Sequence, residues 1–215
     1  AVAVGGDYFG YFPRGQHAAD SFISDVSGHG VGAALLMAEA RTTFMAERLI
    51  SRSAAPILEK LNDLLFDDLD RAKLFMTACC STFDAQTSEL CYANAGHPPA
   101  LLLRADASDC GFLQAGGMLL GISKAVKFEE TKTILGDGDI VVFYTDGITE
   151  RANDSGEFFG VDRLGDAIVT HRDCEPEALI ATVLAAADGF AGSRPNDDDL
   201  TIVVMKVTKG QDRAL

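Results

Sequence analysis

The sequence predicts an α+β layered sandwich. Three observations carry that reading. Helical spacing is confined to two blocks, 31–65 and 161–186. The stretch between them breaks into short β-rich segments separated by Gly and Asp turns. The order of helices, then strands, then helices and one strand lacks the strict alternation of a doubly wound parallel sheet.

Taken in order, the opening is rich in β-formers and "AADSFISDV" reads as a buried strand ending at Asp25 and Val26. Two short strands then pair around the turn "PRGQH". From Val31 the spacing becomes helical, with Ala33, Met37, Ala40 and Phe44 on one face. A second helix places Ile57, Leu61, Leu64 and Leu65 inward and ends near the acidic "DDLD". "LFMTACCSTFD" and "ELCYANAG" flank "AQTS" as a hairpin would, and "PALLLR", "GFLQA", "KFEETKTIL" and "DIVVFYT" supply further strands. "VDRLGDAIVTH" is a helix, as is the stretch from Pro176, where proline at the first turn precedes Leu179, Val183 and Ala186. "DDLTIVVMKV" closes as a strand.

With 215 residues, 47% of them hydrophobic, the chain can fill a sizeable core. A single domain over residues 1–208, with 209–215 as a frayed tail, is expected. A net charge of -14 argues against nucleic acid or an anionic membrane surface as the main partner, and bound cations would offset part of it. Cys79, Cys80, Cys91, Cys110 and Cys174 are odd in number and lack CxxC spacing, which reads as reduced thiols. No apolar run approaches a membrane span, so direct membrane insertion is not expected and a cytoplasmic location is. The start at "AVAVGGDYFG", without Met and already strand-like, predicts an excised domain with a natural neighbour upstream.

The stretch "ISDVSGHGVGAALLMAEA" poses the chemical question, since its glycine turn could cradle a phosphate or its aspartate could hold a metal. The loop lacks the Lys and Ser/Thr of a Walker A motif and the spacing of GxGxxG, so a nucleotide cradle is not supported. Aspartate beside glycine at predicted strand ends recurs instead, at Asp7, Asp25, Asp146 and the run Asp197, Asp198, Asp199. Any one alone is an ordinary turn residue. Together, carboxylates converging from strand ends need a cation among them, and all-oxygen donors suit Mg²⁺ or Mn²⁺.

"GGDY", "DVSGHGVGAALLM", "FMTA", "YANAGHPPALL", "LLGI", "GDIVVFYTDGITE", "FFG" and "DDLTIVV", in that order, resemble the PPM-type metal-dependent protein serine/threonine phosphatases. The resemblance is to the bacterial branch of stage II sporulation protein E and the sigma-factor regulators. It implies a sandwich of two antiparallel sheets flanked by helices, with two Mn²⁺ or Mg²⁺ ions. By that resemblance Asp25 bridges the ions, Asp7 and the Val26 carbonyl complete one ligand set, and Asp146 and Asp198 hold the other ion. Asp198 is chosen because Asp198, Asp199, Leu200 and Thr201 match the family's pattern. These four aspartates then serve catalysis through the hydroxide that the ions activate.

The implied reaction is hydrolysis of phosphoserine or phosphothreonine on a regulatory protein, an anti-sigma-factor antagonist of the STAS type, with a sensor or receiver domain upstream. The alternative is a phosphatase-fold module that has lost efficient turnover and binds a regulatory partner. Gly10 stands where relatives commonly carry a further Asp, and Ser24 where they often carry Gly. Arg14 has no motif support as a phosphate-holding arginine. His29 is read as anchoring the glycine turn rather than as a proton donor, and His97 as packed against its hairpin. Met37, Met45 and Met76 lie on predicted core faces, and Glu150 is left out of the site.

Overall fold

The computed structural model describes residues 5–208. Its elements in order are β1 (Tyr8–Arg14), β2 (Ala18–Val26), α1 (Val31–Ile50), α2 (Ala54–Ala72), β3 (Met76–Asp84), β4 (Glu89–Ala95), β5 (Leu101–Leu103) and β6 (Gly111–Phe112). There follow β7 (Glu130–Ile134), β8 (Ile140–Tyr144), α3 (Asp146–Thr149), α4 (Gly160–Thr170), α5 (Pro176–Ala191) and β9 (Ile202–Lys206). The expected tail at 209–215 lies outside the described residues. The described residues divide into two compact units, one of 5–97 with 114–135, the other of 98–113 with 136–208. The expected class, α+β with two antiparallel sheets flanked by helices, is what the chain adopts.

In the first unit an antiparallel sheet runs β1-β2-β3-β4-β7. Helix α1 buries Ala33, Leu36, Ala40 and Phe44, and the Phe44 ring stacks on Phe22 of β2 at 4.4 Å between centroids. Helix α2 buries Ile57, Leu58, Leu61, Leu65 and Leu69. Leu64, expected on that inner face, is 48% exposed, because the buried arc centres near Leu65 and each residue advances about 100° round the helix. The N-terminus of α2 has no cap from Ser53. Glu130 of β7 serves instead, accepting from the Ala54 N–H at 2.8 Å and from the Ser53 hydroxyl.

A buried carboxylate ties this unit together. Asp20 of β2 accepts from Arg14 Nε at 2.7 Å, Arg48 Nε at 2.8 Å and Thr82 Oγ1 at 2.8 Å. Arg14 also donates to the Arg48 and Ser51 carbonyls. Arg14 therefore works as a clamp between β1, β2 and the end of α1.

In the second unit the antiparallel order is β6-β5-β8-β9. All five residues of β8 are buried, as its unbroken apolar run requires when a strand is covered. Its core partners include Leu164 and Ile168 of α4 and Leu179, Val183 and Ala187 of α5. The "GFLQA" segment yields only the two-residue β6. Among the described residues no helix is long and apolar enough to cross a membrane. Met76 is fully buried and Met37 and Met45 pack against the first core, as their spacing indicated.

Candidate functional site

The predicted aspartates stand as two pairs, each built within its own unit. In the first, the β1–β2 register pairs Tyr8 with Ser24. The Gly6 carbonyl accepts from the Val26 N–H at 3.3 Å, so the pairing continues beyond β1 and sets Asp7 opposite Asp25. Residues directly opposite in an antiparallel pair project to the same face with Cβ atoms about 5 Å apart. On the other side, Asp25 pairs with Thr77 of β3, whose hydroxyl shares a 2.8 Å hydrogen bond with His97 Nδ1. His97 is buried, and its backbone N–H donates to Asn94 Oδ1 at 2.7 Å, in keeping with its packed reading.

Gly6 makes this approach possible. A Cβ there would stand 2.4 Å from the Val26 carbonyl oxygen and 3.2 Å from Asp25 Oδ1. The following turn, "SGHG", holds Gly28 and Gly30 at φ 85° and 87°, a region glycine enters without a Cβ clash. His29 between them is exposed and makes no side-chain hydrogen bond among the described residues, so the turn is held by its glycines and not by the expected anchoring ring.

The second pair sits where β8 ends and β9 begins. The Thr145 N–H donates to the Thr201 carbonyl at 3.0 Å, and the Thr201 N–H to Thr145 Oγ1 at 3.1 Å. Asp146 opens the short helix α3, and Asp198 lies in the loop before β9, its Oδ1 accepting from the Asp199 N–H at 2.8 Å. Burial, and then the charge of Asp198, push the Asp146 carboxyl above its usual range, against hydrogen bonds from backbone N–H groups. Burial and the same two carboxylates raise Glu150. Asp197 is engaged elsewhere, with Arg194 at 3.1 Å. Gly147 is a second close approach, since a Cβ on it would stand 2.0 Å from the Asp199 carbonyl oxygen.

Among the described residues no three His, Cys, Asp or Glu side chains form a ready cage for a metal ion. The donor set nevertheless fits hard cations. It is all oxygen, like charges face each other, and Mg²⁺ is commonly held by one or two carboxylates with several waters retained. A Cβ at position 10 would stand 2.8 Å from Tyr8 Oη and 2.7 Å from Phe12 Cζ, the far ends of two side chains that can turn aside, so space alone does not require glycine there.

Two antiparallel sheets with helices on each, carrying facing aspartates at strand ends, define a phosphatase-type domain of the PP2C fold. The model of the stage II sporulation protein E (SpoIIE) family matches residues 16–208, and the chain belongs to that family. Phosphoserine phosphatase RsbU of Bacillus subtilis is 25% identical over 206 residues, covering 96% of this chain and 60% of its own. The RsbU and RsbW domains of Rv1364c from Mycobacterium tuberculosis superpose with a TM-score of 0.84 at 27% identity, over 97% of this chain and 57% of that one. The SiaA-PP2C domain of Pseudomonas aeruginosa gives 0.82 at 25% identity, over 95% and 81%. The chain thus spans about three-fifths of the RsbU relative's length.

Sequence reading found the aspartates but missed what surrounds them. Thr77 stood in the quoted "FMTA" and Phe158 in the quoted "FFG" without a role, and Arg151, which with Phe158 lines a cavity beside Asp198, carried no signal beyond its place after "TDGITE".

Proposed function

We propose that this chain is a metal-dependent protein phosphatase domain that hydrolyses phosphoserine or phosphothreonine on a regulatory protein of the STAS type, within bacterial sigma-factor signalling. The observation that carries the reading is the facing of like charges, Asp7 opposite Asp25 across the extended β1–β2 pairing and Asp146 beside Asp198. Folding energy is spent against such repulsion where a bound cation relieves it. Membership of the SpoIIE family and likeness to a named phosphoserine phosphatase support the substrate class.

Asp7, Asp25 and the Val26 carbonyl would form one ligand set, and Asp146 and Asp198 the other, for two Mn²⁺ or Mg²⁺ ions. Such ions, when bound, neutralise phosphoryl oxygens and make water acidic enough to supply a nucleophile at neutral pH. The chain's own part is orientation. Gly6 presses Asp7 and the Val26 carbonyl together, and Gly147 lets α3 carry Asp146 against the Asp199 backbone. Burial pushes the Cys79 thiol up to about 12, so it is not ionised as a nucleophile at neutral pH.

The test is hydrolysis of p-nitrophenyl phosphate and of a phosphoserine peptide by the metal-replete protein, with EDTA and add-back. Activity abolished by EDTA and restored by Mn²⁺ or Mg²⁺ but not Ca²⁺ is expected, because calcium accepts larger and looser coordination. Robust turnover in excess chelator would remove the metal reading. No turnover at millimolar Mn²⁺ by folded protein would favour a module that only binds its partner.

A further inference from the structure

Beside Asp198, within the second unit, a cavity of about 240 Å³ is bounded by Gly147, Arg151, Ala152, Phe158, Arg194 and Leu200, with Glu150 and Asp197 also at its wall. That volume holds roughly eight waters at about 30 Å³ each, less than the ~300 Å³ or more of a small-molecule site. It suits a side chain and its peptide group.

Its chemistry narrows the occupant. The Arg151 side chain is only 9% exposed. Its terminal nitrogens donate to the Pro195 carbonyl at 2.7 Å, the Arg194 carbonyl at 3.0 Å and Asp188 at 3.3 Å. Its buried Nε–H meets no acceptor among the described residues. An anion is a poor candidate, because both arginines already face carboxylates and Glu150, Asp197 and Asp198 repel it. A neutral, apolar residue fits. Phe158 is 55% exposed and, with Ala152 and Leu200, gives an apolar wall that a nonpolar side chain would cover.

We propose that this cavity seats a residue adjoining the phosphorylated serine or threonine of the substrate, its apolar side chain against Phe158, Ala152 and Leu200. The inference rests on the phosphatase reading above and makes Phe158 a specificity-determining residue. An apolar contact with one side chain discriminates by roughly 10-fold or more.

The experiment compares three substrates, a phosphoserine peptide with leucine on both sides, its counterpart with glycine on both sides, and p-nitrophenyl phosphate. Phe158→Ala should lower kcat/KM about tenfold for the leucine peptide, through KM, and leave the other two within twofold. Equal effects on all three, or none on the leucine peptide, would overturn the assignment. Fluorescence anisotropy with the two peptides in unphosphorylated form supplies a readout independent of turnover. Leucine-selective binding lost in Phe158→Ala upholds the cavity even if no substrate is hydrolysed, an outcome that sinks the phosphatase reading alone. Indifference to leucine in the wild-type protein sinks the cavity even if hydrolysis is brisk.

Discussion

Gly6 and Val26 approach so closely that a single added carbon on Gly6 would stand 2.4 Å from the Val26 carbonyl oxygen. The obstacle is backbone, which cannot swing aside as a side-chain tip can. Gly6→Ala must therefore move Asp7 away from Asp25, disturbing two proposed ligands and the Val26 carbonyl at once. Phosphatase activity should fall by about 10²-fold or more, roughly 3 kcal/mol of transition-state stabilisation, with a lower melting temperature. Unchanged kinetics in this variant would mean that the Asp7–Asp25 facing is not used in catalysis.

The cysteines give the second prediction. Burial raises the Cys79 and Cys91 thiols to about 12 and Cys110 to about 11, so almost no thiolate exists at pH 7.5. Iodoacetamide at that pH should modify these three slowly and leave activity intact. Mass spectrometry alongside the assay checks it, and inactivation that tracks alkylation of one cysteine would point to a thiol nucleophile.

The third concerns Asp139, just before β8. Burial works against its carboxylate, but the Gly136 N–H at 2.7 Å, Arg104 at 2.7 Å and the Ala105 N–H at 2.9 Å outweigh it and hold the group below its usual range. A depressed pKa contributes stability that is present above the unfolded value near 3.8 and is lost as pH falls through the folded value. Asp139→Asn should therefore cost about 2 kcal/mol at pH 7, chiefly from the two backbone bonds since Arg104 is partly exposed, and progressively less below pH 4. Urea melts at pH 7 and pH 3 measure it. A penalty that grows on acidification would reverse the sign and refute the account.

A fourth prediction follows from Asp20. Removing its carboxylate in Asp20→Ala leaves the Arg14 and Arg48 guanidinium groups without their shared partner, which should cost about 3–5 kcal/mol. Arg14→Ala should be damaging in the same way, through stability and not through KM for phosphate esters. A variant of Arg14 that keeps its melting temperature but loses substrate affinity would restore a phosphate-holding role.

Much of this was readable in the residues themselves. The period shifts mark α1, α2, α4 and α5, and Asp beside Gly at strand ends marks Asp7, Asp25 and Asp146, because only glycine tolerates the backbone approaches that bring such groups together. What the sequence hid depends on neighbours distant along the chain. Asp20 reads as one polar residue in a strand until Arg48 of α1 reaches it. The ring of His29 looked able to brace a turn that positive-φ glycines hold alone. Arg151 gains meaning only when the 194–198 loop folds over it, and Leu64 shares a helical stripe with Ile57 yet falls at the edge of the buried arc.

Asp25→Asn bears most directly on the central claim, since it keeps size and one oxygen while removing a charge proposed to hold a metal ion. With saturating Mn²⁺, kcat/KM for p-nitrophenyl phosphate should fall by about 10³-fold or more, equivalent to roughly 4 kcal/mol. In EDTA the melting temperature should hold or rise, because one of two facing negative charges is gone. A merely structural aspartate would do the opposite. Near-normal turnover in Asp25→Asn, accompanied by a lower melting temperature in EDTA, would contradict the metal-dependent phosphatase account.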